Sequence, residues 1–306
     1  MKIAIIGRNE ILFETAKNLH AQGHNITCIL TAKEAPEYKR KSKDFQALAL
    51  KWNIPFAQGA RIGRQIKFLQ KQPADIAVSI NYPGILPQPV INLFPYGVLN
   101  AHGGDLPRYR GNACQAWAIL NGEKKIGLCI HKMIGGELDS GDIIARDYFP
   151  IDHNTKIGEI WAWMRRQIPN LMLRAIEKLS RDPHFILERQ SRKVEEALRC
   201  YPRKPEDGRI EWKKSALDVL RLVNASNKPY AGAFCEFEGH RLIIWDAELV
   251  KSQEKICAVP GQITKIERGF VEVACGSGIL RIKEFEKAST EKHQSSLNFS
   301  LRKRFH

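Results

Sequence analysis

Asn100 and His102 stand two residues apart at the end of an apolar run, Phe94 to Leu99. Side chains alternate along a strand, so residues i and i+2 project to one face and these two point into one cavity. Asparagine offers a neutral hydrogen-bond donor; histidine offers a group whose charge changes near neutral pH. A Leu-Pro-x-x-x-Gly turn follows, from Leu106 to Gly111, and then Leu138-Asp139-Ser140-Gly141-Asp142. Asp139 precedes a glycine turn and is placed to orient the imidazole. An amide, a base and a carboxylate suit attack on a carbonyl carbon without a metal. Alone, Asn-x-His is a weak signal, because both residues are common at strand ends. The turn and the acidic loop at their spacings give it weight.

These residues need elements to hold them. The first half of the chain alternates β-branched runs with helical apolar spacing. Strands are expected at Ile3–Ile6, Ile26–Leu30, Ile54–Phe56, Ala74–Ser79, Tyr96–Asn100, Gly127–Lys132 and Asp142–Phe149. Helices are expected at Glu10–Gln22, Phe45–Trp52, Arg61–Lys71, Pro87–Leu93 and Cys114–Asn121. Such alternation predicts an α/β fold with a mostly parallel sheet and helices on both faces. Ligands in these folds lie beyond the carboxyl ends of the strands, and Asn100 is at such an end. Lys156 to Arg181 keeps helical spacing, with Pro169 expected to kink or break it. Glu195 to Glu211 is rich in proline and charge and reads as a linker. A helix at Ser215–Ala225 and several short strands then suggest a small barrel or curled sheet. The expected division is a catalytic domain over residues 1–195, followed by the linker and a β domain over 196–306.

The chain has 306 residues, 48 basic and 33 acidic, for a net charge of +15. A basic protein favours anionic partners. No zinc-finger spacing and no RNA-recognition aromatic motif is present, so charge does not argue for nucleic acid. No apolar run reaches the roughly 18 residues of a membrane span, and MKIAIIG reads as a first strand, not a signal peptide. The seven cysteines are scattered, odd in number and free of C-x-x-C, which fits reduced thiols in a cytoplasmic protein. Cys114 and Cys129 flank the site and are read as packing residues. Gly7-Arg8-Asn9 is no dinucleotide fingerprint, and no ligand cluster calls for a metal.

Taken together, Asn100-x-His102, the Leu-Pro-x-x-x-Gly turn and the Leu138–Asp142 loop resemble the 10-formyltetrahydrofolate-dependent formyltransferases. That family includes methionyl-tRNA, glycinamide ribonucleotide and amino-sugar formyltransferases. Gly208-Arg209-Ile210-Glu211-Trp212 and Pro229-Tyr230-Ala231-Gly232-Ala233-Phe234 resemble the C-terminal domain of the tRNA and sugar branches. The resemblance implies a Rossmann-like formyltransferase domain with a smaller OB-like β domain after it. It implies 10-formyltetrahydrofolate as formyl donor, with no metal. Asn100 would donate to the oxygen of the tetrahedral intermediate. His102 would take the amine proton or donate to that oxygen, and Asp139 would hold the histidine tautomer and relay the proton. Either His102 or Asp139 is the first proton acceptor. Ile85 and Leu86 would wall the pterin, and the loop carrying Gly135, Gly136, Leu138, Gly141 and Asp142 would wrap it. Asn9, Tyr82, Gly103, Arg108 and Trp212 are assigned to the acceptor side.

The acceptor divides this family. The segment Thr31–Lys41 is basic but lacks the glycines of the tRNA branch. Gly103-Gly104-Asp105 replaces that branch's serine-containing run, and Trp117 follows the turn. With the Pro229–Phe234 segment these features resemble the amino-sugar N-formyltransferases. The expected acceptor is the amine of a nucleotide-linked amino sugar, as in surface or flagellar glycan synthesis. Methionyl-tRNA formylation and a non-catalytic binding protein on the same fold are the alternatives. Folate and amino sugar are the expected partners, without nucleic acid or membrane, and a homodimer is compatible with this.

Overall fold

In the computed structural model, residues 1–36, 38–251, 254–288 and 297–306 are described. Within the segment Thr31–Lys41, Glu37 lies outside the described residues. In chain order the elements are β1 (Lys2–Gly7), α1 (Glu10–Ala21), β2 (Asn25–Thr31), α2 (Ser42–Lys51), β3 (Phe56–Gln58), α3 (Ile66–Gln70), β4 (Ile76–Ile80), α4 (Gln88–Ile91), β5 (Val98–His102), β6 (Arg110–Gly111), α5 (Cys114–Leu120), β7 (Lys125–Lys132), β8 (Ile143–Pro150), α6 (Ile157–Arg181) and β9 (Arg199–Cys200). After them come α7 (Ala216–Ala225), β10 (Ala233–Phe237), β11 (His240–Leu249), β12 (Ile263–Glu267), β13 (Phe270–Ala274) and β14 (Ile279–Lys287). The chain forms two compact units. The first holds Met1–Cys114, Ile126–Phe149 and Ala162–Cys200; the second holds Gln115–Lys125, Pro150–Trp161 and Tyr201–His306.

The first unit is built on a sheet of order β3-β2-β1-β4-β5-β7-β8. β1 pairs parallel with β2 and β4, β2 with β3, and β4 with β5, whereas β7 runs antiparallel to β5. This is the mostly parallel α/β sheet that the alternation predicts. Ile3 to Ile6 and Ile76 to Ile80 are buried along their whole length. Continuous apolar strands of this kind belong to a sheet covered on both faces.

Two expectations need correction. Arg61–Lys71 is not one helix: a 3-10 turn, Ile62–Gln65, precedes the short α3. Pro169 lies inside α6 without interrupting it. Met164, Ile168, Leu171, Met172 and Ile176 flank Pro169 and are buried. Burial is worth about 1.5 to 3 kcal/mol per large apolar side chain. Together they outweigh the cost of an interior proline, about 3 kcal/mol.

The second unit is an antiparallel sheet of order β10-β11-β14-β13-β12 with α7 beside it. Ser215 caps α7 by accepting from the Asp218 backbone N–H at 3.1 Å. Trp212, Val219, Phe237, Ile244, Leu280 and Phe305 lie in its core. Among the described residues, no helix is long and apolar enough to cross a membrane.

Candidate active site

β5 carries Asn100 and His102 through the middle of the sheet. Asn100 pairs with Ser79 of β4 on one side and His131 of β7 on the other; His102 lies opposite Cys129. Beyond Asn100 the β4 pairing ends, and the strand opens toward the turn at residues 103–113. The backbone carbonyl of Tyr109 lies 2.6 Å from His102 Nε2. A carbonyl can only accept, so Nε2 carries a hydrogen. The other ring nitrogen, Nδ1, faces Asp139 Oδ2 at 3.4 Å. That carboxylate gathers the cluster: Oδ2 also accepts from the Gly111 N–H at 3.0 Å, while Oδ1 lies 3.4 Å from both Asn100 Nδ2 and His131 Nε2. Burial by itself would raise the Asp139 carboxyl. The imidazoles, His102 first and then His131, and the Gly111 N–H outweigh it and hold the group well below the usual carboxylate range.

The loops around this cluster are strained in the same place. Tyr109, Ala113 and Asp139 have φ of 55°, 53° and 50°, in the left-handed region that L side chains seldom adopt. Such outliers cost about 1 to 3 kcal/mol each and persist where surrounding contacts enforce them. Here Gly111 pairs with Cys200 across β6 and β9, and the Asn112 N–H donates to the Cys200 carbonyl at 3.1 Å. Gly111 has φ 104°, and a Cβ there would overlap that carbonyl oxygen, so this position requires glycine. The Cys114 thiol donates to the Tyr109 carbonyl at 2.9 Å and lies 3.7 Å from His102 Nε2. Cys129 Sγ donates to the Gly104 carbonyl at 3.4 Å, and burial pushes its thiol up to about 11. Both are neutral, buried wall residues of the histidine.

Next to the cluster, two segments are stitched together. The Gly136 N–H donates to the Leu86 carbonyl at 3.1 Å, and the Gly135 N–H to Gln88 Oε1 at 3.0 Å. A Cβ on Gly135 would overlap the Gln88 backbone. Ile85 is half-exposed at 51%, an apolar side chain left facing solvent. Leu86 is fully buried against Val90, Ile91 and Phe94, so only its carbonyl serves the loop and its side chain is no pterin wall. Leu138 is half-buried, and Gly141 passes so close to the Lys132 carbonyl that a side chain would overlap it. Asp142 is used within the fold, its Oδ1 accepting from the Gln190 N–H at 3.2 Å.

The acceptor-side residues divide. Asn9 is buried, and its side chain accepts from the Leu12 N–H at 3.0 Å, capping α1. Tyr82 Oη donates to the Gly59 carbonyl at 2.8 Å, and burial pushes its phenol up to about 12. Gly103 is buried beside His102, and Arg108 is exposed over the Tyr109 ring. Arg110 donates to Gln190 and to the Ser191 carbonyl. Trp117 Nε1 donates to the Tyr201 carbonyl at 2.9 Å. Trp212 belongs to the second unit's core, 5% exposed against Phe305, so its indole is spent on packing and the acceptor assignment does not hold for it.

One member of the cluster escaped the sequence reading. His131, 1% exposed, donates from Nδ1 to its neighbour's carbonyl, Lys132 O, at 2.9 Å, and its Nε2 lies 3.2 Å from Asn100 Nδ2. The available signal was a titratable side chain inside a buried strand, KIGLCIHK, where packing alone asks for none.

A half-buried amide with a buried imidazole and carboxylate at the carboxyl end of a strand is an arrangement chemically suited to attack on a carbonyl carbon. Comparison with known proteins narrows the class. Residues 1–176 match the formyl transferase family and residues 203–299 the formyl transferase C-terminal domain, so the chain belongs to the formyl transferase family. It is 28% identical to the methionyl-tRNA formyltransferase of Clostridium tetani, over 94% of this chain and 92% of that protein. It is 30% identical to the methionyl-tRNA formyltransferase of Coxiella burnetii, over 94% and 90%. Among solved structures, the N-formyltransferase from Helicobacter canadensis, in complex with folinic acid and dTDP-3-aminofucose, superposes with a TM-score of 0.71 at 16% identity, over 94% of this chain and 100% of that one. HypX from Aquifex aeolicus with tetrahydrofolic acid gives 0.64 at 19%, over 95% of this chain, which spans 45% of HypX. Members of this family are enzymes that transfer a formyl group, with 10-formyltetrahydrofolate as donor. Among the described residues, no three or more His, Cys, Asp or Glu are grouped to hold a metal.

Proposed function

We propose that this enzyme moves the formyl group of 10-formyltetrahydrofolate to the amine of a nucleotide-linked amino sugar, as in surface or flagellar glycan synthesis. The observation that carries the formyl-transfer step is the Asp139 carboxylate within 3.4 Å of both Asn100 and His102. The acceptor amine attacks the formyl carbon; a C–N bond forms and the bond to the folate nitrogen then breaks. Asn100 donates an amide N–H to the oxygen that becomes negative, a contact worth about 3 to 4 kcal/mol in comparable acyl-transfer sites. The amine proton passes to the His102–Asp139 pair and from it to the departing folate nitrogen. Ile85 and the stitched Leu86–Gln88 and Gly135–Gly136 segments form the surface for the pterin.

The amino-sugar acceptor is supported by the segment after β2, which lacks a glycine-rich insertion, and by the fold shared with the Helicobacter canadensis enzyme along that enzyme's full length. The second reading is methionyl-tRNA, favoured by the identity of 28 to 30% to proteins of that name. Incubation with 10-formyltetrahydrofolate, a panel of nucleotide-linked amino sugars and charged initiator tRNA, with products read by mass, separates the two. A formylated sugar is the expected product. Formyl-methionyl-tRNA, with every sugar unmodified, would replace this reading by the second.

A further inference from the structure

We propose that Gln190 is a positioning residue that holds the Asp139 carboxylate in place from outside the two stretches that match the formyl transferase family. This rests on the role given to Asp139 in the transfer step above. Residues 1–176 and 203–299 carry the family matches, and Gln190 lies between them. The segment around it is tied into the first unit at both ends. The Leu187 N–H donates to the Ile143 carbonyl at 2.9 Å, and the Ile143 N–H to the Glu188 carbonyl at 2.9 Å. Farther along, the Arg110 N–H donates to the Leu198 carbonyl at 2.9 Å, and β9 pairs with β6. Between these ties Gln190 is 6% exposed. Burying a side-chain amide is costly unless its hydrogen bonds are made.

Its side-chain amide and its backbone N–H engage the loops that hold the His102–Asp139 pair. Nε2 donates to the Asp139 carbonyl at 3.0 Å and to the Gly141 carbonyl at 2.5 Å. Oε1 accepts from Arg110 Nη2 at 3.1 Å, and the backbone N–H donates to Asp142 Oδ1 at 3.2 Å. A carbonyl only accepts and a guanidinium only donates, so these neighbours allow one orientation of the amide. The Asp139 carbonyl belongs to the peptide plane that follows its Cα. Holding that oxygen, and the Gly141 oxygen two residues on, keeps Asp139 at φ 50°, where an L residue persists only when its surroundings enforce it. From that backbone, Oδ2 accepts from the Gly111 N–H at 3.0 Å and lies 3.4 Å from His102 Nδ1. Arg110, on the other end of the same amide, is the chain neighbour of Gly111. Gln190 thus ties the backbone of the acidic loop to the turn whose N–H holds the carboxylate. Outer partners that orient metal ligands usually matter about 10- to 100-fold, and the same scale is expected for an outer partner of a reacting carboxylate.

Two variants test this. Gln190→Met keeps the length and loses every polar contact of the side chain. Gln190→Glu keeps the shape and the Arg110 contact but, as a carboxylate beside that guanidinium, has no hydrogen for the two carbonyls. Both should lower kcat about 10- to 100-fold, with the KM for the formyl donor within about twofold. Neither should cost anything further in an Asp139→Ala background, because the group it positions is gone. A glutamate as fast as glutamine, or losses that multiply in the double variant, would mark a role in packing and sink the proposal. Rates are read as tetrahydrofolate released with whichever acceptor the unmodified enzyme uses, so a wrong acceptor assignment leaves this pattern intact. A second readout needs no substrate. In Gln190→Met, hydrogen exchange at the Gly111 amide, which serves the Asp139 carboxylate, should quicken about tenfold or more, while the Arg110 amide, bonded to the Leu198 carbonyl, keeps its protection. Unchanged exchange at Gly111 would overturn the proposal, because the carboxylate has not moved. Lost protection at both amides would overturn it too, because the whole turn has moved. Faster Gly111 exchange with unchanged turnover would support the positioning and remove Asp139 from the reaction instead.

Discussion

Asp139 receives hydrogen bonds and charge from the loop, from β5 and from β7, and its ionised state follows from that crowd. A carboxyl depressed in the folded protein contributes stability that is fully present above its unfolded value, about 3.9, and is lost as pH falls through the folded value. The contribution is therefore intact throughout the neutral and mildly acidic range. The carboxyl carbon shift of Asp139 should stay flat from about pH 4 to 8. A titration inside that window would contradict the charge assignment. It also follows that an acid limb of the rate profile in this window does not come from Asp139. Asn100→Ala, His102→Ala and Asp139→Ala should each lower turnover by at least about a hundredfold with the fold retained. Thermal melts beside the kinetics check both halves, and near-normal rates in three folded variants would remove the mechanism.

At the scale of elements, some residues chosen for chemistry turn out to hold the frame. Asn9 uses its side chain to cap α1, so Asn9→Ala should cost about 1 to 2 kcal/mol in chemical denaturation. An unchanged midpoint with a raised acceptor KM would return Asn9 to the acceptor pocket. Gly135 has no room for a side chain against Gln88. Gly135→Ala should displace the loop and weaken kcat/KM for the formyl donor by about tenfold or more, with little change in melting. The mostly parallel α/β sheet was legible because each strand is a short apolar run between helical spacings. The i, i+2 pairing of Asn100 and His102 was legible for a similar reason: alternation is a property of one strand. His131 was not, since its partnership with Asn100 depends on an antiparallel register between β5 and β7 that no local pattern encodes. Leu86 and Trp212 misled in the opposite sense. Their apolar character suited a ligand wall and a core equally, and only the fold decides between them. Pro169 shows the same limit for propensity, overridden by the buried stripe of α6.

Across the whole molecule the excess of 15 positive charges sets how anions approach. A basic surface raises the local concentration of an anionic substrate and loses that influence as salt shortens the Debye length, from about 10 Å at 0.1 M. The size of the loss depends on how many phosphates the protein neutralises. For a polyphosphate partner with six to ten contacts, affinity falls by about a thousandfold or more between 50 and 200 mM salt. A nucleotide-linked sugar has only two phosphates. The counterion effect scales with that number, so its logarithmic slope should stay at about two or less. Measured over that salt range, the KM for the amino-sugar nucleotide should therefore rise by no more than about 15-fold while kcat stays constant. A free amine attacks only when neutral, so at fixed salt the rate should climb with pH until the amine is deprotonated. Isothermal titration with initiator tRNA across the same salts supplies the contrast. Tight tRNA binding with a steep salt slope, together with a salt-insensitive and unsaturable response to every sugar nucleotide, would move the acceptor to tRNA and assign the basic surface to it.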